Sequence, residues 1–195
     1  NIHEAIGDRP IDYLVVNHME PDHSSLTSYM LDTYPDLMII GNAKTVPMLQ
    51  GYYNVPQERI QVVAEGSEVS LGGCSLRFHM IPMVHWPETM VTWLECEHTV
   101  FSGDAFGTFG AVPESILDEE GTLNEYRDEM IRYYSNIVGK YGVPVQTALK
   151  KLSGLDVMRI CSTHGPVWEN EVKEVVALYD RMSRYEVERG VCIVY

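Results

Sequence analysis

The chain has 195 residues, with 14 Lys and Arg against 28 Asp and Glu, which gives a formal charge of −14. Its apolar content of 45%, with three Trp, twelve Tyr and four Phe, is typical of one compact domain and excludes a disordered segment. No apolar run approaches the roughly 20 residues that span a bilayer, and the acidic balance without a Lys/Arg cluster argues against nucleic acid as a partner. We therefore expect a cytoplasmic protein that binds neither membrane nor nucleic acid.

Short apolar and alternating runs predict eight strands, and amphipathic runs predict five helices. The strands are expected at Ile11–Asn17, Leu37–Gly41, Ile60–Val63, Glu68–Leu71, Ser75–Ile81, Met90–Glu95, Thr99–Gly103 and Val157–Cys161. The helices are expected at Ser24–Tyr34, Thr45–Tyr53, Leu123–Tyr141, Val145–Leu152 and Asn170–Arg189. This order predicts a mixed α/β protein in which sheets pack together with helices outside them. The run Asp118-Glu119-Glu120 lies in a long loop and is interpreted as solvated.

The four cysteines do not form a Cys-x-x-Cys pair, which argues against a zinc ribbon, a rubredoxin-type iron site or a thioredoxin-type redox pair. They are Cys74, Cys96, Cys161 and Cys192, and each lies in or beside an apolar stretch. We expect buried free thiols in a reducing compartment, with disulfides as the alternative.

The first predicted strand leads directly into the polar segment His18-Met19-Glu20-Pro21-Asp22-His23. In an extended chain, residues two apart project to the same side at a spacing of about 7 Å, so His18 and Glu20 can converge on one cation. Pro21 bends the chain, and the side chains of Asp22 and His23 can then turn to a second cation beside the first.

Three further candidate ligands each follow a predicted strand. His85 follows Ser75–Ile81, Asp104 follows Thr99–Gly103, and His164 follows Val157–Cys161. Placing such residues just past strand ends is how α/β proteins assemble a site from loops on a rigid sheet.

This pattern, His18-x-Glu20-x-Asp22-His23 followed by His85, Asp104 and His164, resembles the metallo-β-lactamase-like domain of flavodiiron proteins (A-type flavoproteins). The resemblance covers nearly the whole chain and implies a metallo-β-lactamase-like αββα sandwich. The ordinary metallo-β-lactamase pattern has His in the position of Glu20 and usually binds zinc. A hard carboxylate in that position favours iron.

The resemblance also implies the role of each residue. His18, Glu20 and His85 would bind one iron; Asp22, His23 and His164 would bind the other; and Asp104 would bridge the two. Trp86, next to His85, and Tyr134, in the helix after Asp104, are candidates for the wall of the pocket.

The implied function is reduction of dioxygen to water, of nitric oxide to nitrous oxide, or of both. Four electrons are needed for dioxygen and two irons supply two, so a second cofactor must be near. In the family this cofactor is FMN on a flavodoxin-like domain, reached across a head-to-tail homodimer, with a redox donor such as rubredoxin or a flavin reductase. Two alternatives remain open: a diiron oxygen-binding sensor without a flavin, and a dizinc hydrolase of the wider superfamily, whose nucleophile is a metal-bound hydroxide.

The ends of the chain lead to an expectation about domains. The motif follows only one predicted strand, whereas this fold usually has several strands before it. We therefore expect residues 1–190 to be a diiron domain that lacks its first strands. The apolar segment 191–195 resembles the first strand of the flavodoxin-like domain, so it would be the start of a truncated second domain.

Overall fold

The computed structural model describes residues 2–112, 115–186 and 190–191, which form two facing β-sheets with helices on the outer face of each. This αββα arrangement confirms the fold class that the sequence predicts.

The first sheet contains three parallel strands in the order β1-β2-β3. They are β1 (Tyr13–Val15), β2 (Met38–Asn42) and β3 (Ile60–Val63). Strand β2 is buried along nearly its whole length because it is central, and the registers Leu14↔Ile39 and Ile39↔Ile60 align its neighbours on either side.

The second sheet contains five strands in the order β4-β5-β6-β7-β8. They are β4 (Glu68–Ser70), β5 (Ser75–Met80), β6 (Met90–Leu94), β7 (Thr99–Gly103) and β8 (Arg159–Ser162). Strands β4 to β7 pair antiparallel, and β8 pairs parallel to β7. The long crossover between β7 and β8 carries two of the helices that cover this sheet.

Seven helices are described: α1 (Ile2–Ile6), α2 (Pro21–Ser24), α3 (Thr27–Thr33), α4 (Thr45–Tyr53), α5 (Thr122–Ile137), α6 (Gly142–Leu152) and α7 (Val172–Ser183). Helices α3 and α4 pack on the first sheet, where Leu49 contacts the cluster around Ile39. Helices α5, α6 and α7 cover the second sheet with a larger apolar cluster. A third cluster joins the two sheets, with Ile40 on one side and Phe78 on the other.

All eight predicted strands are present, and β3, β7 and α4 have the predicted bounds. The predicted helix Ser24–Tyr34 is instead two helices, α2 and α3. The Ser24 hydroxyl donates to the carbonyls of Met19 and Glu20, and the Thr27 hydroxyl donates to the Ser24 carbonyl. Such local side-chain bonds compete with the helical pattern and break it at this turn. Helix α1 was not predicted.

The last helix is shorter than predicted. It begins at Val172 and ends at Ser183, and the predicted end at Arg189 lies outside the described residues. Of the predicted flavodoxin-like strand at 191–195, only Val191 is described, and it is not in a strand. Within the described part of the chain, no helix combines the length and apolarity needed to cross a bilayer.

The prediction of free thiols is wrong for one pair, because Cys74 and Cys96 form a disulfide. The physical reason is the register of β5 and β6. Leu76 faces Leu94 in that antiparallel pair, so the positions two residues beyond, 74 and 96, also face each other, with Cα atoms 5.7 Å apart. Cys161 is a free thiol, and Cys192 lies outside the described residues.

Candidate metal centre

The turn after β1 provides the first four of the predicted ligands. The backbone of this turn is fixed where the two sheets meet, since the Met90 N–H at the start of β6 donates to the Asn17 carbonyl at 3.0 Å. His18 follows and is buried, with 3% of its surface exposed. Pro21 then begins the short helix α2, which carries Asp22 and His23. The bend at Pro21 thus separates the two pairs of candidate ligands, as the sequence predicts.

Four side chains form the first group: His18, Glu20, His85 and Asp104. The Nε2 atom of His85 lies 3.0 Å from Glu20 Oε2, 3.0 Å from Asp104 Oδ2 and 3.2 Å from His18 Nε2. The Nε2 atom of His18 lies 3.5 Å from the same two carboxylate oxygens. All four donor atoms therefore surround one point.

Asp22, His23 and His164 form the second group. The Nε2 atom of His164 lies 3.2 Å from Asp22 Oδ2, and that of His23 lies 3.5 Å from Asp22 Oδ1. The other oxygen of Asp104, Oδ1, is 2.8 Å from His23 Nε2 and 3.5 Å from His164 Nε2. Asp104 thus presents one oxygen to each group, and the structure brings all seven candidate ligands together.

The donor atoms of the cluster fit cations better than they fit hydrogen bonds with one another. A single imidazole N–H can donate to one acceptor, yet His85 Nε2 faces two carboxylate oxygens and a second ring nitrogen. His23 Nε2 and Asp104 Oδ1 are buried and 2.8 Å apart, but neither has a hydrogen-bond partner among the described residues. Four imidazoles with three carboxylates are a donor set for iron, zinc or a related divalent metal.

The charges of the cluster shift the pKa values of its members in opposite directions. Burial favours the neutral acid form of Asp104, but the adjacent imidazoles of His23 and His85, positively charged when protonated, outweigh burial and hold its pKa far below the ordinary value. Burial lowers the pKa values of His23 and His85, and the Asp104 carboxylate outweighs burial and raises both. In the protein without metal, these raised pKa values favour protons on the two imidazoles, and such protons offset the negative charge.

Glu88 is a site residue that the sequence analysis did not identify. Its side chain is buried, with 1% of the residue exposed, and its Oε1 atom accepts from His18 Nδ1 at 2.8 Å and from the Met19 N–H at 3.0 Å. Burial raises the pKa of Glu88, but these two bonds outweigh burial and lower it. Because a carboxylate only accepts, His18 carries its proton on Nδ1, which leaves the Nε2 lone pair facing the cluster. The sequence signal for Glu88 is weak: a carboxylate two residues before the apolar strand β6.

The two predicted wall residues lie in different surroundings. The Trp86 ring packs edge-on against the His18 ring, with centroids 5.1 Å apart. Tyr134 lies in the core against Tyr179, at 5.0 Å, and lines a cavity between α5 and α7 that contains none of the seven ligands. Its neighbour Tyr133 is at the cluster instead, 5.7 Å from the His164 ring. Burial and the nearby Asp104 carboxylate raise the pKa of Tyr133, so its hydroxyl stays protonated.

An open cavity of about 470 Å³ lies beside the cluster. It runs between β1 on one side and the ends of β7 and β8 on the other, and its lining includes His18, Asp22 and His23. Small molecules can therefore approach the candidate ligands from this side.

The chain is similar to one known protein family and to longer proteins of archaea and bacteria. Residues 1–165 match the family described as "ODP family beta lactamase". The whole chain is 32% identical to an uncharacterized protein of Methanocaldococcus jannaschii and covers 49% of it. It is 31% identical to the anaerobic nitric oxide reductase flavorubredoxin of Escherichia coli and covers 41% of it. The chain thus spans about half the length, or less, of these curated relatives.

Solved structures also match most of this chain with less than half of their own length. A flavoprotein from Thermotoga maritima matches 97% of this chain and 46% of its own, with a TM-score of 0.89 and 29% identity. The rubredoxin oxygen:oxidoreductase of Desulfovibrio gigas matches 89% of this chain and 44% of its own, with a TM-score of 0.84 and 27% identity.

An αββα sandwich with histidines and carboxylates gathered at its strand ends defines a metallo-β-lactamase-like domain. More specifically, the chain belongs to the ODP family of beta-lactamase-like proteins. It corresponds to the metallo-β-lactamase-like part of flavodiiron proteins, since 97% of it matches a flavo di-iron protein of Thermotoga maritima with a TM-score of 0.89 and 28% identity. The resemblance predicted from the sequence is confirmed.

Proposed function

We propose that the chain is the diiron domain of an oxidoreductase that reduces dioxygen to water, nitric oxide to nitrous oxide, or both. The observation that carries the proposal is the position of Glu20, whose Oε2 atom lies 3.0 Å from His85 Nε2 and 3.5 Å from His18 Nε2. A carboxylate oxygen thus occupies the first group beside two imidazoles, and this hard donor favours iron over zinc. The nitric oxide reductase and oxygen:oxidoreductase among the matched proteins support the reaction class.

We propose that each of the two groups of side chains holds one iron. His18, Glu20 and His85 would hold one iron, and Asp22, His23 and His164 the other. Asp104 would bridge them, because its two oxygens face different groups. When bound, the two irons would supply two electrons and open positions for a diatomic substrate.

The protein's own groups have three tasks at this site. The depressed pKa of Asp104 keeps its carboxylate ionised and able to bridge. Glu88 fixes the tautomer of His18 through the bond to Nδ1. Trp86 covers the His18 ring on one side and limits the access of water there.

The electron balance requires a second redox group. Reduction of one dioxygen to two waters takes four electrons and four protons, whereas reduction of two nitric oxide molecules to one nitrous oxide and one water takes two of each. We propose that FMN on a flavodoxin-like domain supplies the electrons, with rubredoxin or a flavin reductase as donor and a head-to-tail homodimer bringing the flavin to the irons. The length of the matched relatives, about twice that of this chain, leaves room for such a domain.

We also propose that the diiron domain comprises residues 1–190 and that the flavodoxin-like domain begins at 191–195. For the location of the protein we propose the cytoplasm. The Cys74–Cys96 disulfide is typical of an oxidising compartment, whereas a reducing cytoplasm would hold the pair as thiols. Labelling thiols in rapidly quenched cells would test the location, because a fully oxidised pair contradicts it.

The test of the function uses purified protein reconstituted anaerobically with Fe(II). We expect two irons per chain, and about one nitrous oxide per diiron unit when the reduced protein is mixed with excess nitric oxide. Oxygen consumption with a reduced flavin donor tests the second substrate. A stable dioxygen adduct without turnover would support the sensor alternative. Zinc binding with esterase or lactonase activity, and no reduction of either gas, would support the hydrolase and refute the proposal.

A further inference from the structure

The acidic run Asp118-Glu119-Glu120 is not uniformly solvated. Glu119 and Glu120 are exposed, but Asp118 is buried, with 2% of its surface accessible. The expectation of a solvated loop is therefore wrong for Asp118. Burying a carboxylate is energetically costly unless its oxygens accept hydrogen bonds. The hydrogen-bond donors around Asp118 therefore indicate its role.

Asp118 binds the backbone just before α7. Its Oδ1 atom accepts from the N–H groups of Glu169 at 2.7 Å and Asn170 at 3.0 Å, and its Oδ2 atom accepts from the Glu171 N–H at 2.9 Å. The Asn170 side chain donates in return to the Asp118 carbonyl at 2.7 Å. One carboxylate from another loop thus satisfies three successive amides that directly precede the helix, the last of them at its N-cap residue Glu171.

Glu171 makes the reciprocal contact. Its carboxylate accepts from the N–H groups of Gly121 at 3.2 Å and Leu123 at 2.6 Å, at the start of α5. Each segment therefore caps the helix that follows the other. We call the pair Asp118 and Glu171 the double cap.

The double cap is joined to the loop that carries His164. Leu117 and Val167 form a short parallel bridge, in which the Val167 N–H donates to the Ile116 carbonyl at 2.7 Å and the Asp118 N–H to the Val167 carbonyl at 3.0 Å. His164 precedes Val167 by three residues. The double cap therefore fixes the C-terminal side of the His164 loop.

The other side of His164 is held by its backbone. Its carbonyl accepts from the Thr108 N–H at 3.2 Å and from the Ser162 hydroxyl at 2.8 Å. Gly165 has φ of +83° and approaches so closely that a Cβ there would lie 2.2 Å from Thr108 Oγ1. The loop consequently has little freedom to move as long as both sides are held.

His164 differs from His18 in how its ring is oriented. His18 has the Glu88 carboxylate on Nδ1, whereas no hydrogen bond to Nδ1 of His164 is found within the described part of the chain. The placement of its Nε2 atom, 3.2 Å from Asp22 Oδ2, therefore depends on the backbone of its loop and on the contacts of its ring with those of His23 and Tyr133.

We propose that Asp118 and Glu171 are positioning residues for the second metal group, formed by Asp22, His23 and His164. By fixing the loop between β8 and α7, the double cap holds His164 where it completes that group. The first group, with His18, Glu20 and His85, lies on other loops and does not depend on the double cap. This inference rests on the proposed function only in that the seven residues bind two cations.

The test measures stepwise metal binding to the purified protein by anaerobic titration with Co(II) in competition with a chelator. We expect the unaltered protein to bind two ions. In Asp118→Asn, an NH2 group replaces one acceptor oxygen, so we expect the first ion to bind within twofold of the unaltered affinity and the second to bind about tenfold to a hundredfold more weakly. Glu171→Gln disturbs the double cap from the other side, and we expect the same selective loss.

Glu119→Gln is the matched control, because it removes the same charge from the adjacent, exposed position. It should leave both binding steps unchanged. If Asp118→Asn and Glu171→Gln lower the thermal stability but leave both steps unchanged, or weaken the two steps equally, the double cap has only a structural role and the inference is overturned. Should Asp118→Asn fail to fold, Glu171→Gln decides. If the unaltered protein itself binds fewer than two ions, the proposed function fails independently of the variants.

Discussion

Replacing Glu88 by Gln should weaken metal binding at the first group without unfolding the protein. The Oε1 atom of Glu88 receives both bonds, from His18 Nδ1 and from the Met19 N–H, while Oε2 is buried without a partner among the described residues. A glutamine can place its amide oxygen at Oε1 and its NH2 group at Oε2. The two hydrogen bonds then remain, but the negative charge behind His18 is lost.

The size of the effect follows from this change. A hydrogen bond to a charged group contributes about 1.5–3 kcal/mol and a neutral one about 0.5–1.5 kcal/mol, so about 1 kcal/mol or more is lost. Loss of an outer carboxylate on a metal-binding histidine weakens affinity by about tenfold to a hundredfold, or about 1.4–2.8 kcal/mol. We therefore expect Glu88→Gln to bind the first metal ion about tenfold more weakly.

Glu88→Ala should behave differently. It leaves the His18 Nδ1–H and the Met19 N–H buried without an acceptor, at about 1–3 kcal/mol each, which is a large part of the stability of an ordinary domain. We expect this variant to be much less stable, so it is not a test of affinity.

The assay is equilibrium competition between the protein and a chelator for Co(II) or Zn(II), with urea unfolding of the metal-free protein measured in parallel. Glu95→Gln is the control, since it removes the same charge at an exposed position. An affinity of Glu88→Gln within twofold of the unaltered protein would refute the role that we assign to Glu88.

Three further predictions concern the charges and covalent links of the molecule. In the metal-free protein the raised pKa values of His23 and His85 stabilise the fold fully below the ordinary value of 6.5, and this contribution is lost as the pH rises through the folded values. The lowered pKa values of Asp104 and Glu88 stabilise the fold above their ordinary values of 3.8 and 4.5. Urea unfolding in the presence of a chelator should therefore show maximal stability between pH 4.5 and 6.5. Greater stability at pH 8 would contradict this. Glu20→His should shift metal preference from iron towards zinc in a competition experiment read by elemental analysis, with Glu20→Gln as the control for charge, and an unchanged iron-to-zinc ratio would count against Glu20 as a ligand. Cys74→Ser opens a loop closed over a separation of 22 residues and should lower the free energy of unfolding by about 3 kcal/mol while two metal ions still bind; a lost ion would link the disulfide to the site.

The apolar periodicity of the sequence predicted the bounds of those helices and strands whose ends depend only on their own residues. The strands β3 and β7 and the helix α4 have the predicted bounds, because their apolar periodicity and flanking turn residues are local signals. Strand β1 is shorter than the predicted Ile11–Asn17 because only three of its residues pair with β2, at the edge of the described sheet. The length of β1 is therefore set by its pairing with β2 and not by its own sequence alone.

The clustering of the seven candidate ligands could be predicted because the segments that carry them follow strands, and the strand ends converge in the folded sandwich. Glu88 and Asp118 could not, because their roles depend on segments distant in sequence. Glu88 meets His18 across 70 positions, and Asp118 meets the amides before α7 across 51 to 53 positions. The Cys74–Cys96 disulfide likewise required the register of β5 against β6, which the spacing of the cysteines does not reveal.

The origin of the ligands links metal binding to the packing of the two sheets. The segment His18–His23 follows β1 of the first sheet, whereas His85, Asp104 and His164 follow strands of the second. Cations held by both sets would cross-link the sheets in the folded state only. At a free metal concentration a thousand times the dissociation constant, each ion would add about 4 kcal/mol to the free energy of unfolding.

Proton release must accompany that binding. Without metal, protons on His23 and His85 offset the charge of Asp104, and a cation must displace them to reach the Nε2 atoms. The metal-free fold is consequently weakened by rising pH over the same range in which metal binding grows stronger. His23, His85 and Asp104 thus join folding, proton release and metal binding into one linked equilibrium.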